Sequence, residues 1–301
     1  MPFGARRWST DKAQTLIEHA LRGAEERFRI DGALKYDPLS IFNGSTTPVG
    51  LYARSRWIGL DNDSGWQKDF DKTIAALRKG QLANGSWENS PLLTIHRLFG
   101  LHLTVRQPDD NIDKALEWLV FTCDTFSDFQ IRSLFGKQLS SSTIESLPFV
   151  NGDVADLFKA AVLFLSTIFG KGKEKAIVKI FQEVMDRFAS KHSRWPSLVS
   201  TQNFLRAFVV HPEYKHSEVI LKVVRMFADM QSKSGTWKGR INSYLLINAL
   251  GHLDMDVAKK QLISSLRGIS HKQNSDGSWG RRGREWKTFL IIHAMKRMSA
   301  L

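Results

Sequence analysis

Gln273-Asn274-Ser275-Asp276-Gly277-Ser278-Trp279 is a tight Asn/Ser/Asp/Gly turn between two apolar helical patterns, closed by a tryptophan. The pattern occurs twice more, as Gln231 followed by Gly235-Thr236-Trp237 and as Gln81 followed by Gly85-Ser86-Trp87. In all three copies Gln leads Trp by six residues and Gly leads Trp by two. A degraded copy ends in His192-Ser193-Arg194-Trp195-Pro196, and Trp195, Trp237 and Trp279 are spaced by 42 residues and then 42 again. A fixed period of that length marks a repeat architecture whose unit is a helix pair, since one pair alone cannot bury its apolar face.

Working outward from these turns, helical periodicity predicts twelve helices near 9–30, 46–59, 67–82, 90–104, 111–126, 152–169, 173–191, 197–210, 216–232, 239–252, 256–272 and 283–299. No period-2 stretch is strong enough to read as a strand. The even-numbered helices are the more apolar, as in Tyr244-Leu245-Leu246-Ile247, whereas the odd ones are amphipathic and basic. Helices apolar all round belong inside and amphipathic ones outside. Six inner and six outer helices with short turns predict a single (α/α)6 toroid over residues 1–301, with 127–148 as a candidate lid or irregular insertion.

The 301 residues are ample for a sizeable core, and 42% hydrophobic content with 11% aromatics excludes global disorder. No apolar run approaches the ~18 residues a membrane span needs. The basic N-terminus has no apolar segment behind it, so no secretory signal is read and a cytoplasmic location is the expectation. Cys123 is the single cysteine, which rules out an internal disulfide and a multi-cysteine zinc site. A net charge of +13 fits a phosphorylated ligand, an acidic partner or an anionic membrane surface met peripherally. The basic residues are dispersed, and no zinc-finger or RNP motif points to nucleic acid.

A helix ending in Gln, a Gly-x-Trp turn and an apolar inner helix resemble the repeat of the prenyltransferase and squalene–hopene cyclase superfamily. The resemblance is strongest over 66–120 and 173–299. It implies that the Gln amide caps the next helix and packs on the indole, and that isoprenoids are handled in an apolar central cavity. Three of the family's chemistries have counterparts to check. Proton-initiated cyclisation needs an Asp-x-Asp-Asp type motif. Asn151-Gly152-Asp153-Val154-Ala155-Asp156 stands at a matching place, with Ala155 where the proton donor would be and Asp153 or Asp156 as candidate acid, or with Asp153 simply capping the helix. Diphosphate ionisation needs magnesium on clustered carboxylates. Asp109-Asp110-Asn111-Ile112-Asp113 matches Asp-Asp-x-x-Asp, although helix-start acids explain Asp109, Asp110 and Asp113 equally. Zinc-dependent protein prenylation would need partners that Cys123 lacks, and His96, His102, His252 and His293 read as core histidines.

If the even helices are inner, their N-terminal ends form a rim on which Lys238, Arg240, Arg282 and Arg284 sit together to hold a diphosphate. The wall below would be Tyr52, Trp57, Phe99, Phe158, Phe164, Phe204, Phe208, Tyr244, Trp286 and Phe289. Such rings accommodate an isoprenoid chain and stabilise a carbocation. The leading expectation is a terpenoid cyclase-like enzyme acting on a prenyl diphosphate, with magnesium as its one candidate cofactor. Cyclases of this kind usually carry a second helical barrel, which a partner helical domain or subunit could supply. The alternatives are a non-catalytic toroid binding a lipid or an acidic protein, and a glycan-active toroid enzyme.

Overall fold

The computed structural model describes residues 34–136, 146–189 and 196–299. Twelve α-helices lie within them, and no strand. They are α1 (Pro48–Ala53), α2 (Ser64–Arg78), α3 (Pro91–Thr104), α4 (Asp110–Thr125), α5 (Asp128–Gly136) and α6 (Val154–Ile168). Then follow α7 (Lys175–Ala189), α8 (Leu198–Phe208), α9 (Glu218–Met230), α10 (Ser243–Leu250), α11 (Asp256–Ser270) and α12 (Arg284–Ser299). The expected helix at 9–30, residues 137–145 of the candidate lid and the degraded copy ending at Trp195 lie outside the described residues.

Helix starts follow local chemistry. Thr47 and Ser90 accept hydrogen bonds from Gly50 N–H and Leu93 N–H, each with proline at the first helical position. Ser197, Ser217 and Asn242 cap α8, α9 and α10 in the same way. One difference from expectation is α5, inside the stretch read as irregular. Its nine residues offer only Ile131 and Phe135 as a fully buried i, i+4 pair, too few to register as a periodic pattern.

Two sets of helices separate by burial. In α8 every residue from Val199 to Phe208 is buried, and α6 buries ten of its fifteen residues. By contrast α9 buries only the stripe Ile220, Val223, Val224 and Phe227. The apolar set packs in succession: α1 on α3, α3 on α6, α6 on α8, α8 on α10, α10 on α12, and α12 back on α1. The amphipathic helices α2, α4, α7, α9 and α11 each lie against members of this core set.

The three Gln/Gly/Trp turns share one geometry. An isolated bridge pairs Gln81 with Trp87, Gln231 with Trp237 and Gln273 with Trp279. Each Gln amide donates to the carbonyl of its own turn glycine, at 2.8, 3.1 and 2.9 Å. Each donates again into the next flanking segment, to Asn111 O, Gln261 O and Tyr36 O. The glutamine therefore does not cap free helix N–H groups, as the family resemblance implied. It staples its turn to the neighbouring segment. Trp237 and Trp279 add indole bonds to Phe227 O and Ile269 O, ten residues upstream, at 2.8 and 2.9 Å. At the third turn the segment around Tyr36 takes the place of the next flanking segment. Tyr36 N–H donates to Gln273 Oε1 at 3.2 Å, and Ser40 Oγ donates to Asp276 O at 3.2 Å.

Gly277 adopts φ +79°, and a Cβ there would sit inside the van der Waals radius of Asp37 O. Gly170 has a similar φ of +85° but open space around it. Gly277→Ala is expected to cost about 2–4 kcal/mol, backbone strain plus the lost close approach, against roughly 1–2 kcal/mol for Gly170→Ala. Urea melts of both variants check this, and equal losses would remove the close approach as the cause.

Candidate functional site

The four cations expected on a rim at the N-terminal ends of the core helices have different surroundings. Lys238, Arg240, Arg282 and Arg284 are all exposed. Arg284 turns to Asp276 in a 2.5 Å ion pair. Only Arg240 shares a depression with Asp153, one of about 630 Å³ lined also by Asn151, Gly152, Ser197 and Val199. The rest of this end is structural. Gln202 exchanges hydrogen bonds with the Asn242 backbone at 2.7 and 3.1 Å, and Asn203 does so with Val150 at 2.7 and 2.9 Å. Glu285 accepts from Ser45 and Thr47 at 2.5 and 2.7 Å, joining α12 to α1.

The candidate acids are committed elsewhere. Asp153 caps α6, accepting from the N–H groups of Ala155 and Asp156 at 3.1 Å each, and pairs with Arg132 at 2.8 Å. Burial pushes its carboxyl up, but these bonds outweigh that and hold it below the usual carboxylate range. A proton donor requires the opposite shift. Asp156 is paired with Arg187 at 2.7 Å. The magnesium reading fares no better. Asp109 caps α4 and pairs with Arg78, while Asp113 turns to Lys171 at 3.3 Å and Asp110 is simply an acid in the first turn. Among the described residues no three His, Cys, Asp or Glu side chains converge as metal ligands. Burial pushes the Cys123 thiol up to about 12, the reverse of what a zinc ligand or nucleophile needs.

The aromatic expectation divides. Tyr52, Trp57, Phe289, Trp286 and Phe99 form a continuous set, with successive centroids 5.6, 5.0, 5.5 and 5.7 Å apart, and Phe164 follows at 6.2 Å from Phe99. These rings come from α1 and its π-helical extension, α12, α3 and α6. Tyr52, Trp57 and Trp286 stay partly open to solvent. The others point away: Phe158 meets Phe135 of α5, Phe204 meets Phe188 of α7, and Phe208 meets Phe181 of α7. Tyr244 lies under Lys287 at 5.5 Å.

The C-terminal ends of the core helices hold what sequence reasoning missed. Arg206, in the last turn of α8, is 8% exposed and lies over the Phe164 ring at 4.7 Å. Its Nε and Nη1 have no hydrogen-bond partner. Burial, then the Arg297 charge, push its guanidinium down to about 9. His252 and His293 stack with centroids 5.4 Å apart, and Asn248 Nδ2 donates to His293 Nδ1 at 3.2 Å. That bond leaves the His293 proton on Nε2. His102 completes the group from α3, its ring 6.5 Å from Phe164. Burial, then neighbouring arginine charges, push His102 and His293 each down to about 3, and lower His252 as well. The available signal was positional: His102 and Arg206 fall in the last turns of core helices and His252 just past one, while His293 lies in the C-terminal half of α12.

No family model matches the chain, and no curated protein matches it. A crystal structure of a protein from Actinoplanes is similar in fold, with a TM-score of 0.54 and 14% identity. The similarity covers 95% of this chain and 100% of that one. No described helix is long and apolar enough to cross a membrane.

His102, His252 and His293 are held neutral in the fold but take protons near pH 6.5 once unfolded. The stability they contribute is therefore complete above about pH 6.5 and is lost as pH falls toward 3. Urea midpoints are expected to drop from pH 7.5 to pH 5, and His293→Gln to reduce the slope by about 1.4 kcal/mol per pH unit. A slope that His293→Gln leaves unchanged would contradict the assignment.

Proposed function

We propose that the chain is a single (α/α)6 toroid that binds the apolar chain of an isoprenoid-type lipid against the ring set Tyr52, Trp57, Phe289, Trp286 and Phe99. The core succession that returns from α12 to α1 supports the toroid, with α2, α4, α7, α9 and α11 as its outer layer. The observation that carries the ligand is the continuity of those rings across three core helices while Tyr52, Trp57 and Trp286 remain accessible. Stacked and edge-on rings present a broad apolar face at little entropic cost, because each aromatic side chain has only two soft torsions.

Binding, with no acid-initiated cyclisation, is the activity proposed. Asp153 is a helix cap held ionised and Asp156 is in an ion pair, so neither is poised to protonate an alkene. Magnesium-dependent ionisation is not proposed either, since Asp109 and Asp113 serve a cap and an ion pair on separate partners.

A second reading, contact with an acidic protein, draws support from a depression of about 590 Å³ on the flanking helices. Lys233, Lys260, Arg267, His271 and Lys272 line it, and no carboxylate does.

Titration with farnesol and geranylgeraniol, followed by tryptophan emission, tests the main reading. Saturable quenching is expected, with affinity falling about tenfold in Trp286→Ala, the scale of losing one well-packed aromatic contact. Mass spectrometry of the same prenols and of their diphosphates should return them unchanged. No binding of either prenol would sink the proposal. A cyclised product lost in Asp153→Asn, Asp156→Asn would restore the cyclase reading.

A further inference from the structure

We propose that the C-terminal ends of the core helices form a binding site for a small multivalent phosphoryl anion, gripped by the Arg206 guanidinium and the ring N–H groups of His252 and His293. The site would hold its anion whether or not the aromatic rings take an apolar chain.

The first ground is an unmet hydrogen-bonding demand. Arg206 is buried, yet two guanidinium nitrogens find no acceptor. His252 Nε2 and His102 Nδ1 are likewise buried without partners. Buried polar atoms left unpaired cost about 1–3 kcal/mol each, more when charged, so four such atoms in one part of the core are expensive unless something binds them. The cation–π contact with Phe164 offsets part of the charge but supplies no acceptor.

The second ground is the sign of the surroundings. The charged groups acting on His252 and His293 are Arg206, Arg297, Arg106 and Lys215, from α8, α12 and the segments after α3 and before α9. On Arg206 itself the acting charge is Arg297. Tyr52 of α1 faces Arg297. No carboxylate is among the largest charges acting on any member of the group. Cations near helix C-termini are ordinary, because the dipole favours them there. The dipole accounts for a single lysine or arginine, such as the half-buried Lys296. It does not account for a buried arginine within electrostatic reach of three histidines, two of them stacked on each other.

A phosphoryl group matches this demand in charge and geometry. The guanidinium fork presents parallel N–H donors at the spacing of two phosphoryl oxygens. The Asn248 bond aims the His293 Nε2–H as a further donor. Arg106 and Arg297 are exposed and act on His293 from the surface, so they would attract an anion toward it. Bound charge would reverse the balance on the histidines, so binding draws protons onto them and tightens as pH falls.

The test is calorimetric titration of the full chain with inorganic pyrophosphate and, as an anion that does not titrate in this range, sulfate. Saturable binding of both is expected. Arg206→Met should weaken it about tenfold or more, as loss of a charged hydrogen bond does, and His252→Asn about fivefold, while Arg282→Gln at the opposite end leaves it unchanged. Without anion, Arg206→Met should melt no lower than the parent, since it removes an unpaired buried charge. Sulfate affinity should fall between pH 6.0 and 7.5. Absence of binding to either anion would overturn the proposal, as would parental affinity in Arg206→Met, or in His252→Asn should the first variant fail to fold. Equal sulfate affinity at both pH values would remove the histidines from the site. Loss of affinity in Arg282→Gln would move the binding to the other end of the helices.

Discussion

The side-chain amide of one glutamine per repeat holds this architecture in register. An amide on a flexible stem has two N–H donors, and here one closes the turn while the other reaches the backbone of the next flanking segment. Neither bond alone is worth more than about 0.5–1.5 kcal/mol. Their value lies in direction: they fix the spacing between helix pairs whose apolar faces would otherwise slide. The turn glycine must then lie so close to the neighbouring backbone that no side chain fits, and the indole fills the space beneath. Gln, Gly and Trp recur together because each meets a constraint that the other two create.

The two ends of the core helices have been put to different uses. At the N-terminal ends the buried donors and acceptors are largely spent on structure, in caps, reciprocal amide pairs and the Glu285 contacts to Ser45 and Thr47. At the C-terminal ends donors converge without acceptors. A fold under pressure only for stability would exchange a buried unpaired arginine for an apolar side chain of similar size. Keeping Arg206 marks that end as the one where stability has been given up.

The repeat was legible because its determinants are local and recur unchanged: Gln to Trp in six residues, with a glycine between. Helix positions followed from the same rhythm, and eleven of the twelve expected spans have a counterpart among the described residues. The site was not legible in the same way. Lys238, Arg240, Arg282 and Arg284 were grouped because they stand at or just before the starts of core helices, but all four are exposed and Arg284 is taken by Asp276, and such surroundings are set by tertiary packing. Phe158, Phe204 and Phe208 sit on helices buried on nearly every side, so sequence alone could not say which side meets the shared interior. His102, Arg206, His252 and His293 lie far apart in the chain and share no spacing. Only the succession of core helices brings them together.

The segment around Tyr36 completes the turn at Gln273 from 237 residues away. That contact sets an order of events during folding. Every other staple joins neighbours about thirty residues apart and can form as soon as two adjacent helix pairs exist. The last one must wait until the whole succession has been laid down, and non-local closures of this kind are slow. Until then the protein is an open arc with α1 and α12 unpaired and their aromatic faces exposed. Such an arc could close on itself or accept the end of a second chain, and a higher protein concentration during that wait would favour the second outcome.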